Sequence, residues 1–119
     1  MLFRSYNHAI SVSGGRLLFV AGQVSIDEKN RLVGPGDFNA QMQQVFKNLG
    51  SILESAGASF ENIAKFTTYL TRSQDLSAFY DKRREIFAEI YPNGRYPTNT
   101  LVVIEQLARK EWQIGRAHV

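Results

Sequence analysis

The most regular alternation of apolar and polar positions begins after Asp37, where Met42, Val45, Phe46, Leu49, Ile52, Leu53 and Ala56 recur at the spacing of one helical stripe. Gly57 stands where a C-terminal glycine belongs, so a helix from Asp37 closed by Gly57 is predicted. A second helix is predicted from about Asp75, with Leu76, Phe79, Tyr80, Arg83, Ile86, Phe87 and Ile90 on one side, ending before Pro92-Asn93-Gly94. Between them, Ile63 to Leu70 is rich in β-branched and aromatic residues and reads as a strand. Ahead of the first helix, Phe3 to Val12 and Arg16 to Gln23 flank the turn residues Ser13-Gly14-Gly15, the signature of a β-hairpin whose second strand is apolar on both faces. After the second helix, Arg95-Tyr96-Pro97-Thr98-Asn99-Thr100 reads as a loop delivering the chain into a buried strand, Leu101-Val102-Val103-Ile104, and a last strand follows from about Trp112.

The expected order is strand, strand, helix, strand, helix, strand, strand, which is an α+β domain with one mixed sheet of five or six strands. Two crossovers of the same hand put both helices on one face. Leu17 and Phe19 point opposite to Leu18 and Val20, so the uncovered face is apolar too and calls for another subunit.

Composition narrows the function. The 119 residues make a single domain spanning 1–119 the expectation, and 44% hydrophobic with 21% charged residues are the proportions of an ordinary globular protein. With no cysteine there is no disulfide, thiol nucleophile or cysteine-built metal site. No apolar run approaches the roughly 18 residues of a membrane span and no leader opens the chain, so a cytoplasmic protein is expected. A net charge of +3 raises nucleic acid as a partner, yet the cations are scattered or, as in Lys82-Arg83-Arg84, interleaved with acids in the manner of a solvated helix face. Neither nucleic acid nor membrane is expected as a partner.

Candidate chemistry centres on Tyr96, Thr98, Asn99 and Thr100, hydrogen-bonding groups without charge at the mouth of a strand; the same residues also suit a plain strand entry. Gly22 allows backbone to approach a ligand, although a bulge accounts for it as well. His8 with His118 makes a poor metal pair without nearby carboxylates, and no metal site is expected. Trp112 reads as core packing. Arg83 or Arg84 could reach a cleft from the second helix, against the plainer reading of both as part of its solvated face.

Tyr6 with Asn7-His8-Ala9, Phe19-Val20-Ala21-Gly22-Gln23, Ala56-Gly57-Ala58, Ile63 through Thr71, Asp75-Leu76 and Tyr96-Pro97-Thr98-Asn99-Thr100 together resemble the Rid family, the YjgF-like reactive-intermediate deaminases, over nearly the whole chain in order. The resemblance implies a chorismate-mutase-like α+β fold with two helices on one face of the sheet, a homotrimer with a central barrel, and small-molecule clefts between subunits. It further implies hydrolysis of 2-imino acids and enamines to 2-keto acids and ammonia, with no cofactor and no metal. By the same resemblance, Tyr6, Gly22 and the position of Asn99 line the substrate cleft, where active relatives carry an arginine at the position of Asn99, and Thr100 from the polar strand mouth is expected beside them. A neutral amide in its place forfeits a bidentate, charge-assisted grip on a carboxylate, worth roughly 1.5 to 3 kcal/mol. The expectation is therefore either an imine or enamine deaminase of changed substrate or a non-catalytic module that binds a small metabolite or a partner protein.

Aligned on Trp112, the family's glutamate of the last strand falls at Gly115. The peptide Ile114-Gly115-Arg116-Ala117-His118-Val119 also matches one reading frame of a common sequencing adapter, so the natural chain is expected to depart from this sequence near Gln113, against the alternative of a genuine polar end.

Overall fold

A computed structural model describes residues 6–118, and of residues 117 and 118 the backbone alone. Six main elements follow in order: β1 (Val20–Gln23), α1 (Phe38–Ser55), β2 (Lys65–Leu70), α2 (Leu76–Ile90), β3 (Thr98–Val103) and β4 (Ile114–His118). Short 3-10 turns at Phe60–Asn62 and Ser73–Asp75 lead into β2 and α2.

Helix α1 starts and stops on side-chain and backbone chemistry the sequence announces. The Asp37 carboxylate accepts from the Ala40 amide at 3.1 Å, satisfying a donor that the first helical turn leaves open. At the other end Gly57 takes φ +74°, which lets the Gly57 and Ala58 amides donate to the Glu54 and Leu53 carbonyls in a Schellman motif. The stripe of α1, from Phe38 through Met42, Val45, Phe46 and Leu49 to Leu53, is buried, and so are Phe79, Arg83, Ile86 and Phe87 of α2. Both helices pack on the sheet face that carries Phe66, Thr68 and Leu70.

The sheet runs β1-β4-β2-β3. Strands β2 and β3 are parallel neighbours joined through α2, while β4 lies antiparallel between β1 and β2. The last strand therefore occupies the interior of the sheet and β3 its edge. This is the expected α+β class with a mixed sheet and two helices, in four strands rather than five or six.

Two expectations change. The hairpin of residues 3–23 keeps its turn, with Gly14 and Gly15 at φ +73° and +72°, but from Asn7 to Phe19 no strand pairing forms and only β1 joins the sheet. A two-stranded ribbon with nothing packed on it is marginal in water, and here residues 7 to 19 are exposed. Phe3, Arg4 and Ser5 of that expected strand lie outside the described residues. The stretch read as a loop, Thr98-Asn99-Thr100, is instead the first half of β3, in register with Lys65, Phe66 and Thr67. As an edge strand β3 is not buried: Val102 and Val103 are exposed.

Candidate functional site

Strand alternation decides where the candidate residues go. Thr98 is tied down by its hydroxyl, which donates to the Ala64 carbonyl at 2.9 Å. Asn99 turns toward the helices, where the Thr68 hydroxyl donates to its Oδ1 at 2.9 Å. Its amide Nδ2 has no acceptor among the described residues. Thr100, one position on, is exposed and takes the opposite face, so the two predicted neighbours are separated by the sheet itself.

What faces Asn99 is not neutral. Arg116 lies opposite Thr68 on β4, is 1% exposed, and brings Nη2 to 3.5 Å from Asn99 Oδ1. Its guanidinium lies 4.0 Å from the centre of the Phe66 ring and 4.7 Å from that of Phe46, with Nε and Nη1 unpartnered. Burial, then the nearby Arg83 cation, push its pKa down to about 9. The expectation of uncharged groups around Asn99 is thus corrected. A side chain at Gly115 would face Leu107 and Val24, away from Asn99, whereas position 116 faces it.

Arg83 is also misread by its charge. Lys82 and Arg84 do lie on a solvated face, paired with Glu85 and Asp81 at 3.3 Å each. Arg83 is 6% exposed and packs its guanidinium among the rings of Phe79 (5.2 Å), Tyr80 (5.2 Å), Tyr6 (5.9 Å) and Phe87 (6.0 Å). Its Nε has no partner, and burial lowers its pKa. The signal was in the sequence: Arg83 shares the helical phase of Leu76, Phe79, Ile86 and Phe87, and phase outweighs residue type.

Tyr6 reaches this region because the chain after it is pinned to the β3 approach. The Asn7 amide donates to the Pro97 carbonyl at 3.1 Å, and the Asn7 side chain donates to the Tyr96 carbonyl. Gly22 belongs to β1 where its register with β4 shifts between Val20 and Gln23; a Cβ placed there would meet only the Arg116 carbonyl, at 3.7 Å. Asn99 thus meets the side chain of residue 116 and Gly22 its backbone carbonyl, whereas Tyr6 lies against Arg83 and Thr100 takes the other face of the sheet. His8 is exposed beside the Tyr6 ring, the side chain of His118 lies outside the described residues, and no cluster among the described residues could hold a metal. Trp112 is only partly buried, with Arg109 over its ring and its indole N–H unpartnered.

A mixed sheet with two helices is an arrangement that solved relatives share. Residues 2–115 match the family described as Endoribonuclease L-PSP. A RutC family protein of Pyrococcus horikoshii is 36% identical over 107 residues, covering 85% of either chain. Mouse 2-iminobutanoate/2-iminopropanoate deaminase is 31% identical over 104 residues, 87% of this chain and 72% of that one. Among solved structures, the Rid-family protein YyfB of Yersinia pestis aligns with a TM-score of 0.84 at 31% identity, over 96% of this chain and 84% of its own. The chain belongs to the Rid family, the YjgF-like proteins.

Proposed function

We propose that this Rid-family chain hydrolyses small 2-imino acids or their enamine tautomers. Water adds to the carbon of the C=N bond, its protons pass to nitrogen, and the C–N bond breaks to leave a 2-keto acid and ammonia. The observation that carries the reading is Asn99 near the start of β3, which accepts from the Thr68 hydroxyl while its amide still has donors to offer; Gly22 beside the β4 backbone and Tyr6 against Arg83 are proposed to complete the cleft. Mammalian relatives named for this reaction support it. The hydrolysis as written requires neither metal nor cofactor. Ammonia release from freshly generated 2-iminobutanoate should exceed the uncatalysed rate. If it does not, the second reading leads: a module binding a small metabolite or a partner protein, favoured by Asn99 already being engaged by Thr68 where active relatives are expected to carry arginine.

The proposal includes assembly into a homotrimer with clefts between subunits, in the cytoplasm. Leu17 and Phe19 are 70% and 72% exposed, with Val12 and Leu18 exposed beside Leu17, and apolar side chains left open together support an interaction surface. No helix among the described residues is long and apolar enough to cross a membrane, so a lipid phase does not account for the patch through a helical span. Light scattering should give three times the chain mass; a stable monomer at micromolar concentration would reject both trimer and clefts. Residues 114–119 are proposed not to be the natural end of a single Rid domain. A buried guanidinium with two unmatched nitrogens on the central strand supports that, and sequencing the gene from its source tests it.

A further inference from the structure

We propose that Arg83 is the carboxylate anchor of this protein, gripping an anionic ligand from helix α2 in place of the arginine that Asn99 lacks. The inference rests on the proposed reading only in taking the ligand to be a small carboxylate.

A guanidinium can be sunk into a core cheaply when acids meet its N–H groups, and Arg83 has none: no ion pair among the described residues includes it, and its Nε is buried without an acceptor. What surrounds it is aromatic. Phe79 and Tyr80 each have their ring centre 5.2 Å from the guanidinium carbon, with Tyr6 and Phe87 beyond. Rings engage a guanidinium through its delocalised face, which leaves the in-plane N–H fork available for the two oxygens of a carboxylate. The rim is open on the side of Tyr6, half-buried, and Tyr80, 45% exposed, so an anion has a way in that the deeper Arg116 does not offer. Tyr6 also ties the anchor to the cleft residues, since its segment is pinned beside β3 by Asn7. Arg116 adds a second positive charge around the shared Phe79 ring, and an anion there lowers the repulsion between the two. Arg83 carries the assignment because it sits in the body of the chain, within the residues 2–115 that match the family, rather than in its last six residues.

The test uses 2-oxobutanoate, the product of the proposed reaction, and its neutral counterpart 2-oxobutanamide. Calorimetry should show the unaltered protein binding the acid and not the amide, with affinity at least tenfold weaker in Arg83→Gln and intermediate in Arg83→Lys, which keeps the charge but loses the fork. If Arg83→Gln fails to fold, ¹⁵N spectra of the arginine side chains in the unaltered protein decide: the Arg83 Nε signal should shift on adding the acid and stay fixed with the amide. Equal affinity in Arg83→Gln, no binding of the acid at millimolar concentration, or a loss confined to Arg116→Met would overturn the assignment. Binding through Arg83 with no ammonia release would leave the anchor standing and remove the deaminase.

Discussion

Two polar side chains are sunk equally deep in this small core and are treated in opposite ways. Gln41 of α1, fully buried, has every demand met: Nε2 donates to the carbonyls of Gly34 and Glu111 at 3.1 and 3.0 Å, and Oε1 accepts from the Gln113 amide at 2.8 Å. Arg116 of β4, three residues after Gln113, keeps two nitrogens unmatched against phenylalanine rings. The first is a clamp that ties the start of β4 to the helix layer. The second is a charge that the fold accommodates without compensating, beside Arg83 in the same condition. Buried polar groups left open mark either a place where a ligand completes the set or a residue foreign to its position. Arg83 is assigned to the first description by the proposals above and Arg116 to the second.

The largest test of that contrast removes what both ends lean on. Phe87 joins the ring cluster of Phe46, Phe66, Tyr91 and Tyr96, with centroids 4.9 to 6.1 Å apart, and also borders Arg83. Phe87→Ala should cost about 3 to 5 kcal/mol in denaturant unfolding, enough to unfold a domain this small at moderate temperature. A cost under about 1 kcal/mol would mean the two ends do not share a core.

Next come two substitutions expected to move stability in opposite directions. Gln41→Leu strands the Gln113 amide and should destabilise by about 1 to 3 kcal/mol. Arg116→Met removes an unmatched charge while filling the same space, and should stabilise by about 1 to 4 kcal/mol. Equal signs in the melting temperatures would erase the distinction. Placed in the unaltered chain, a carboxylate at position 116 would lie beside Asn99 and within electrostatic reach of Arg83, so Arg116→Glu should also stabilise, by offsetting the Arg83 charge, and should weaken 2-oxobutanoate binding by competing for it.

Much of this was readable in the chain, and the exceptions have physical causes. The α1 stripe, its Asp37 cap and the Gly57 stop came through because local chemistry and tertiary packing agree there. The α+β order came through for the same reason. Thr98-Asn99-Thr100 misled because polar β-branched residues resemble loop composition, while their strand character comes from pairing with β2, a partner 33 residues away in sequence at Thr67↔Thr100. The hairpin misled in reverse: its turn glycines are real, but turn chemistry cannot supply the packing that a ribbon needs. Among the candidate site residues, Asn99 and Gly22 could be singled out by local chemistry as well as by family likeness, Tyr6 by likeness alone. Arg83 was hidden by a rule that assigns charges to water, although its helical phase said otherwise.

The smallest effect separates matched from unmatched groups by pH. Tyr91 is buried and donates its hydroxyl to the Phe60 carbonyl at 2.9 Å; burial raises its pKa above the ordinary 10.0. As pH rises past 10 the unfolded tyrosine loses its proton while the folded one keeps it, so this contribution to stability is whole below that pH and falls above it. Arg116 has the opposite sign. Below about pH 9 it is charged in both states and its full burial cost is present; above that the folded form sheds its proton while the unfolded form, with an ordinary guanidinium, still holds it, so stability rises. Each slope is bounded by about 1.4 kcal/mol per pH unit. Between about pH 9 and 11, Tyr91→Phe should therefore remove a decline and Arg116→Met a rise, with Tyr91→Phe costing about 1 kcal/mol at neutral pH for its lost hydrogen bond. Urea unfolding of the two variants across that range reads both signs against the unaltered protein. Parallel curves for all three would mean that neither group changes its proton occupancy on folding.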